Sequence, residues 1–213
     1  MLIIAYVPGV EKEQNFVPVK KLKKIKEMRI FNRKESFLYY PPMPFYIDLR
    51  QRLPRRNIDK LKVLNVGVGV GNSGLAVQLP YFNFERLDLI DVHKPYLDSA
   101  VTRTWAAKKV NFILADIVNF DTSIYDLVLM FDVLEHLPKL ASLKVMEKIK
   151  CKQVIFGPLE KEFRENKFGA ESQDHLSLWT EKDFKSRGYK TEVLKNFHKE
   201  DGKEWDALWA LKN

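Results

Sequence analysis

A chain of 213 residues, 46% of them apolar, is long enough for one α/β domain with an extension and too apolar to be disordered throughout. Its single cysteine, Cys151, excludes internal disulfides and multi-cysteine metal sites and suits a reducing, cytoplasmic setting. The net charge of +8 is confined to one end: residues 1–60 hold 14 Lys and Arg against 6 Asp and Glu, and the two classes balance over residues 61–213, so either an anionic partner or a solvated basic face lies near the start.

Residues 2–7 and 16–19 read as short strands about a turn at Pro8-Gly9. The first of these is too short for a secretion signal, and no apolar run approaches the roughly 18 residues of a membrane helix. Residues 20–29 read as a helix, with Leu22, Ile25 and Met28 three apart and lysines between them. Residues 36–46 are aromatic, and Pro41, Pro42 and Pro44 exclude a regular helix there. Such a stretch suits either a substrate lid over the neighbouring domain or ordinary packing. Residues 51–59, with Arg52, Arg55 and Arg56, form a basic linker. The expected division is an extension over 1–59 and a main domain over 60–213.

From residue 61 strands alternate with helices. Strands are expected over 61–66, 86–92, 110–115, 125–131 and 152–156, the last stopping at Gly157-Pro158. Helices are expected over 72–79, 95–108 and 139–150. Thr180 reads as the cap of a further helix that ends at Gly188. Strands over 189–196 and 205–211, joined by a turn at 199–203, must pair antiparallel because a parallel crossover needs a dozen or more residues. The alternation implies a parallel sheet covered on both faces.

Chemistry gathers at the carboxyl ends of these strands, where open α/β sheets bind ligands. Gly67, Gly69 and Gly71 follow the first of them, a place where bare backbone admits a ligand and helix N–H groups face it. Asp91 ends the next strand, 20 positions past Gly71, about the spacing at which a carboxylate meets a ribose diol. Asp116 and Asp132 end the two strands after that.

As a set, VLNVGVGVGNSG (63–74), LDLIDVHKPYLDSA (87–100), FILADI (112–117) and YDLVLMFDVLEHL (125–137) resemble the motifs of the class I S-adenosylmethionine-dependent methyltransferases, in the LEHL-containing form common among small-molecule enzymes. The resemblance implies a Rossmann-like, seven-stranded, mostly parallel sheet with an antiparallel last strand and helices on both faces, and S-adenosylmethionine as cofactor. It implies that Gly67, Gly69 and Gly71 border the methionine part, that Asp91, next to Val92, binds both ribose hydroxyls, that Asp116 and the Ile117 backbone hold the adenine amino group, and that Phe131 lines the sulfonium pocket. Asn65 stands where the family usually has an acidic residue. It keeps an acceptor but drops a charge facing the cofactor's ammonium.

Methyl transfer is an in-line displacement that gains most from alignment, and a general base is needed only where the acceptor must lose a proton. His136, His175 and Glu135 are the candidates for that base, and Asp132 and Trp179 are candidate substrate contacts. No metal-ligand spacing is visible. The Asn/Asp-Pro-Pro-aromatic signature of amide and nucleobase methylation is absent, and Cys151 lies at the wrong end of its strand to be a nucleophile. The acceptor is thus an O, N or C nucleophile of a small molecule, glycan, lipid head group or protein, an anionic one being favoured by the basic extension. Two other readings stand beside this one. A nicotinamide dehydrogenase shares the glycine turn but usually spaces it GxGxxG. A non-catalytic module could bind nucleic acid through residues 20–56, where Phe31, Phe37, Tyr39 and Tyr40 lie among basic residues.

Overall fold

The computed structural model describes residues 27–29, 36–38, 49, 52–53, 57–69, 79–82, 84–103, 110–162, 174–200 and 202–213. It divides into two units, Met1–Pro54 and Arg55–Asn213.

In the first unit, β1 (Glu27–Arg29) and β2 (Ser36–Leu38) pair antiparallel, with Met28 opposite Phe37. This corrects the helix expected over 20–29 at its final turn. Spacing alone favours a helix there, and pairing with a strand nine positions on from Met28 overrides such a local preference. The expected strands at 2–7 and 16–19, the helix's first part and the aromatic 39–46 lie outside the described residues. Leu49 and Leu53 are buried one helical turn apart, with the Leu53 N–H donating to the Leu49 carbonyl (3.0 Å).

The second unit is built on β3 (Lys62–Val66), β4 (Arg86–Asp91), α1 (Lys94–Arg103), β5 (Val110–Leu114), β6 (Leu127–Phe131), α2 (Lys139–Lys148), β7 (Lys152–Pro158), α3 (Glu181–Lys185), β8 (Lys190–Glu200) and β9 (Lys203–Lys212). Seven strands form one sheet in the order β5-β4-β3-β6-β7-β9-β8. The pairings from β5 through β7 are parallel, while β9 runs antiparallel to both β7 and β8. Burial at consecutive positions of β3, β4, β6 and β7 marks central strands covered on both faces. Their side chains join Trp179, Phe184 and Leu208 in one core, each contributing roughly 1.5–3 kcal/mol on burial.

Two differences from the sequence reading concern strand ends. β7 runs through Gly157-Pro158 because β9 pairs alongside it, Gly157 with Leu208 and Pro158 with Ala207. Proline at a strand end forfeits no interior ladder bond. The final hairpin is longer than expected and closes through a shorter link containing Gly202, whose φ is +75°. The helix expected over 72–79 and the last part of the one over 95–108 lie outside the described residues. Thr180 does cap α3, its N–H donating to Asp183 (2.8 Å) in a capping box.

One buried charge supports the sheet away from the ligand edge. Asp88 in β4 is fully buried and accepts from Arg86 Nε (2.9 Å), Asn111 Nδ2 (2.6 Å) and the Tyr125 hydroxyl. Burial pushes its carboxyl up, and the hydrogen bonds from Arg86, Tyr125 and Asn111 together with the Arg86 charge more than offset this. The group lies below the usual carboxylate range.

Candidate active site

The chain runs from β3 outward to β4 and β5, then returns to lay β6 on the other side of β3. The strand order therefore reverses between β3 and β6, the kind of place at which open α/β sheets bind ligands. Val66 and Met130 are paired in register, so the loops after them leave side by side. They come close: a Cβ added at Gly67, whose φ is +76°, would lie 2.8 Å from Val133 Cγ2. Gly69 also has positive φ (+65°), but no described residue stands within 4 Å of an added Cβ there. One glycine is thus demanded by the neighbouring loop, and the other meets no such neighbour among the described residues.

Asp91 fixes this loop. Its Oδ2 accepts from the backbone N–H groups of Val68 (2.7 Å) and Gly69 (3.2 Å), and its Oδ1 from that of His93 (2.8 Å). The role expected of Asp91 is to hold a ligand, and what the structure shows is a latch on the glycine turn. A carboxylate has about four acceptor sites, so the side of Oδ1 keeps capacity for a further donor. Beneath the loop, Asn65 is 2% exposed, donates from Nδ2 to the Gly67 carbonyl (2.9 Å), and leaves Oδ1 buried without a hydrogen-bond partner. An orphaned buried acceptor is uncommon and points to a missing donor. Gly71 lies outside the described residues.

At the end of β5, Asp116 is exposed and its Oδ1 accepts from the Val118 N–H (2.9 Å), shaping a turn in which Ile117 is buried. The Lys148 ammonium donates to the carbonyls of Ile117, Val118 (2.8 Å) and Phe120 (3.0 Å) and pins that turn to α2. Val92 is exposed, and Phe131 is half-buried edge-on to Trp209.

After β6 the backbone turns sharply. Asp132 has φ +49°, and its N–H donates to the Phe156 carbonyl (2.9 Å). Asp132 keeps open surface, yet enough protein surrounds its carboxyl that desolvation raises it to about 7 against the pull of Lys161. A short turn of 3-10 helix, Leu134–His136, follows. Glu135 there is 3% exposed, its Oε1 has no hydrogen-bond partner, and burial followed by the neighbouring Asp132 charge raises its carboxyl well above the usual range.

The two histidines, 39 positions apart in sequence, meet edge-on with ring centroids 5.0 Å apart. The Glu135 carbonyl accepts from the N–H groups of Leu176 (2.7 Å) and Ser177 (3.0 Å), which ties the loop bearing His175 to the turn bearing His136. Ser142 Oγ and Ser177 Oγ both donate to the Leu134 carbonyl (2.8 and 3.0 Å). His175 is pushed down to about 4, chiefly by burial and partly by the neighbouring His136, although its bond to the Lys161 carbonyl opposes this. It is therefore neutral at pH 7.

Trp179 was read as a substrate contact, and the structure places it elsewhere. It is 2% exposed, its Nε1 donates to Ser177 Oγ (3.0 Å), and its ring packs on Phe184 beneath the Lys139 ammonium. Its surface is used by the core. Nothing in the sequence marks the candidate base Glu135 as buried, because a charged residue beside a histidine in a turn reads as solvated.

Among the described residues no helix is long and apolar enough to cross a membrane. Residues 64–150 match the family model described as a methyltransferase domain. No curated protein matches the chain. Among solved structures, the methyltransferase domain of bacterial CtHen1 shares 19% identity with a TM-score of 0.53, over 79% of this chain and 95% of that one. The N-methyltransferase NodS from Bradyrhizobium japonicum WM9 shares 17% with a TM-score of 0.53, over 81% and 97%. The magnesium protoporphyrin IX methyltransferase ChlM from Synechocystis PCC 6803, solved with bound S-adenosylhomocysteine, shares 18% with a TM-score of 0.54, over 79% and 78%. Over residues 64–150 this chain thus matches a methyltransferase-domain model, and its seven-stranded sheet shares the fold of these solved methyltransferases.

Proposed function

We propose that the protein is an enzyme that moves a methyl group from S-adenosylmethionine to a nucleophile held beside the turn after β6. The observation that carries this is the cradle itself. A glycine loop, with no described residue within 4 Å of a Cβ at Gly69, is latched by Asp91, and in the strand before it Asn65 Oδ1 is a buried acceptor lacking a donor. The cofactor's ammonium is a donor of the right kind for Asn65. The open Oδ1 side of Asp91 suits a ribose hydroxyl, Asp116 with the Ile117 backbone suits an adenine amino group, and Phe131 suits a wall of the sulfonium pocket.

When bound, S-adenosylmethionine supplies a methyl group activated by its sulfonium. The protein's share is to hold the acceptor in line, exclude water and receive a proton where the acceptor must lose one. Asp132, Glu135, His136 and His175 form the polar cluster available for that side of the reaction. A small-molecule, glycan or lipid head-group acceptor fits this reading, and the basic residues 1–60 favour an anionic one. The non-catalytic, nucleic-acid-binding alternative is not favoured by the family match.

Calorimetric titration of the full chain with S-adenosylhomocysteine and, separately, with NAD tests the cofactor assignment. One-to-one binding of the first and none of the second is expected. The reverse outcome overturns the proposal.

A further inference from the structure

We propose that Glu135, His136 and His175 form a binding site for a divalent transition-metal ion, with a coordination position left open for an oxygen of the methyl acceptor. The open-position clause rests on the methyltransferase reading, and the ion site itself does not.

Among the described residues, one donor atom from each of these three side chains lies within 4.8 Å of the others. The two rings are already in the tautomer that ligation needs. His136 Nδ1 lies 3.1 Å from the Asp174 carbonyl and His175 Nδ1 lies 2.8 Å from the Lys161 carbonyl. A carbonyl only accepts, so each Nδ1 carries the proton and each Nε2 carries the lone pair. An Nδ1–H donated to a backbone carbonyl is the usual outer support of a metal-bound imidazole.

Glu135 is the second and independent sign. A carboxylate with an unpartnered, fully enclosed oxygen is costly, and a divalent cation supplies the missing counter-charge. The carboxylate lies against β7, where a Cβ added at Gly157 would stand 3.5 Å from Glu135 Oε2, an ordinary contact distance. The turn and the loop that present the ligands are locked together through the carbonyls of Leu134 and Glu135, so the set is held before any ion arrives.

The donor set decides the class of ion. Two imidazoles and one carboxylate suit Zn²⁺, Mn²⁺, Fe²⁺ or Co²⁺ rather than Mg²⁺ or Ca²⁺, which prefer all-oxygen shells. Ligands around a tetrahedral ion at about 2.1 Å stand about 3.4 Å apart, so the donors close inward by side-chain rotation on binding. Three protein ligands leave a place for water or a substrate oxygen, the arrangement of catalytic rather than structural sites.

The test uses full-length protein stripped with EDTA and titrated calorimetrically with MnCl₂, CoCl₂ and ZnCl₂. One ion per chain is expected, with affinity reduced about 100-fold or more in His175→Ala and at least about tenfold in Glu135→Gln. Copper(II) loaded on the wild-type protein should show hyperfine coupling to two imidazole nitrogens by electron paramagnetic resonance, a readout that needs no variant to fold. Absence of saturable binding, equal binding by folded His175→Ala, or a copper spectrum without nitrogen coupling overturns the site. S-adenosylhomocysteine is titrated into stripped and loaded protein in parallel. Cofactor binding without metal binding removes the site alone. Metal binding without cofactor binding leaves the site standing and removes its role in methyl transfer.

Discussion

Replacing Asp91 by alanine separates two roles that its carboxylate combines. Three backbone N–H groups lose their acceptor: Val68, which is buried, and the more open Gly69 and His93. Leaving the Val68 N–H buried and unsatisfied costs about 1–3 kcal/mol, while water replaces the acceptor at the other two for about 0.5–1.5 kcal/mol each. The sum, about 2–6 kcal/mol, corresponds to a fall in melting temperature of roughly 4–24 °C at 2–4 °C per kcal/mol for a unit of this size. Loss of a charge-assisted bond to a ribose hydroxyl adds about 1.5–3 kcal/mol to binding alone, so affinity for S-adenosylhomocysteine drops by about tenfold to 150-fold even where enough protein stays folded. Urea melts monitored by circular dichroism give the first quantity and calorimetry gives the second. An unchanged melt shows that no latch operates, and an unchanged affinity removes Asp91 from the cofactor site. Both together would refute the cradle.

Gly67→Ala and Gly69→Ala should part company. Both strain a positive φ by about 1 kcal/mol, but only at Gly67 does the new methyl strike Val133, so thermal melts should show the larger loss there and calorimetry the larger loss of cofactor affinity per unit of stability at Gly69. The Asp88 carboxyl lies below its unfolded value, so its contribution to stability is present above about pH 4 and fades as pH falls through the folded-state pKa. The stability gap between wild type and Asp88→Asn should therefore be flat from pH 7 to pH 5 and narrow below about pH 4 in urea melts, and a gap that widens on acidification contradicts the assigned direction. Removing residues 1–54 should leave S-adenosylhomocysteine affinity unchanged, because every residue assigned to the cofactor lies in the second unit. Calorimetry on the shortened protein checks this, and a folded product that no longer binds refutes it.

The sheet was legible because its signals are repetitive. Apolar runs at β3, β4, β6 and β7 separated by helix-length segments leave few arrangements other than a parallel sheet, and the short link before β9 forces that strand to run backwards. The candidate site carries its signals in glycine and aspartate, whose reasons for standing at strand ends are few. What escaped depends on partners distant in sequence. The strand at 27–29 needs Phe37 opposite Met28, and the continuation of β7 through Pro158 needs Ala207 beside it. The meeting of His136 and His175 hangs on hydrogen bonds to the carbonyl of Glu135, a backbone group whose behaviour no side-chain pattern announces. Trp179 misled because a tryptophan in a loop near a crevice looks available, and only packing shows that its indole is spoken for.

The placement of β9 between β7 and β8 bears on how the domain is assembled. The strand furthest along the sequence occupies an interior slot, so neither neighbour has its full set of ladder bonds until it arrives. Before then β7 presents an unpaired edge of apolar character, Val154-Ile155-Phe156, and β8 has no sheet to join. Such edges recruit strands from other molecules. Pairing of Gln153 with Lys212 also closes a loop of nearly sixty residues, an entropy cost met late in folding. Aggregation during refolding should therefore track the integrity of residues 203–212 more closely than that of the ligand edge, and a chain shortened by that strand should form inclusion bodies although every residue assigned to the cofactor is still present.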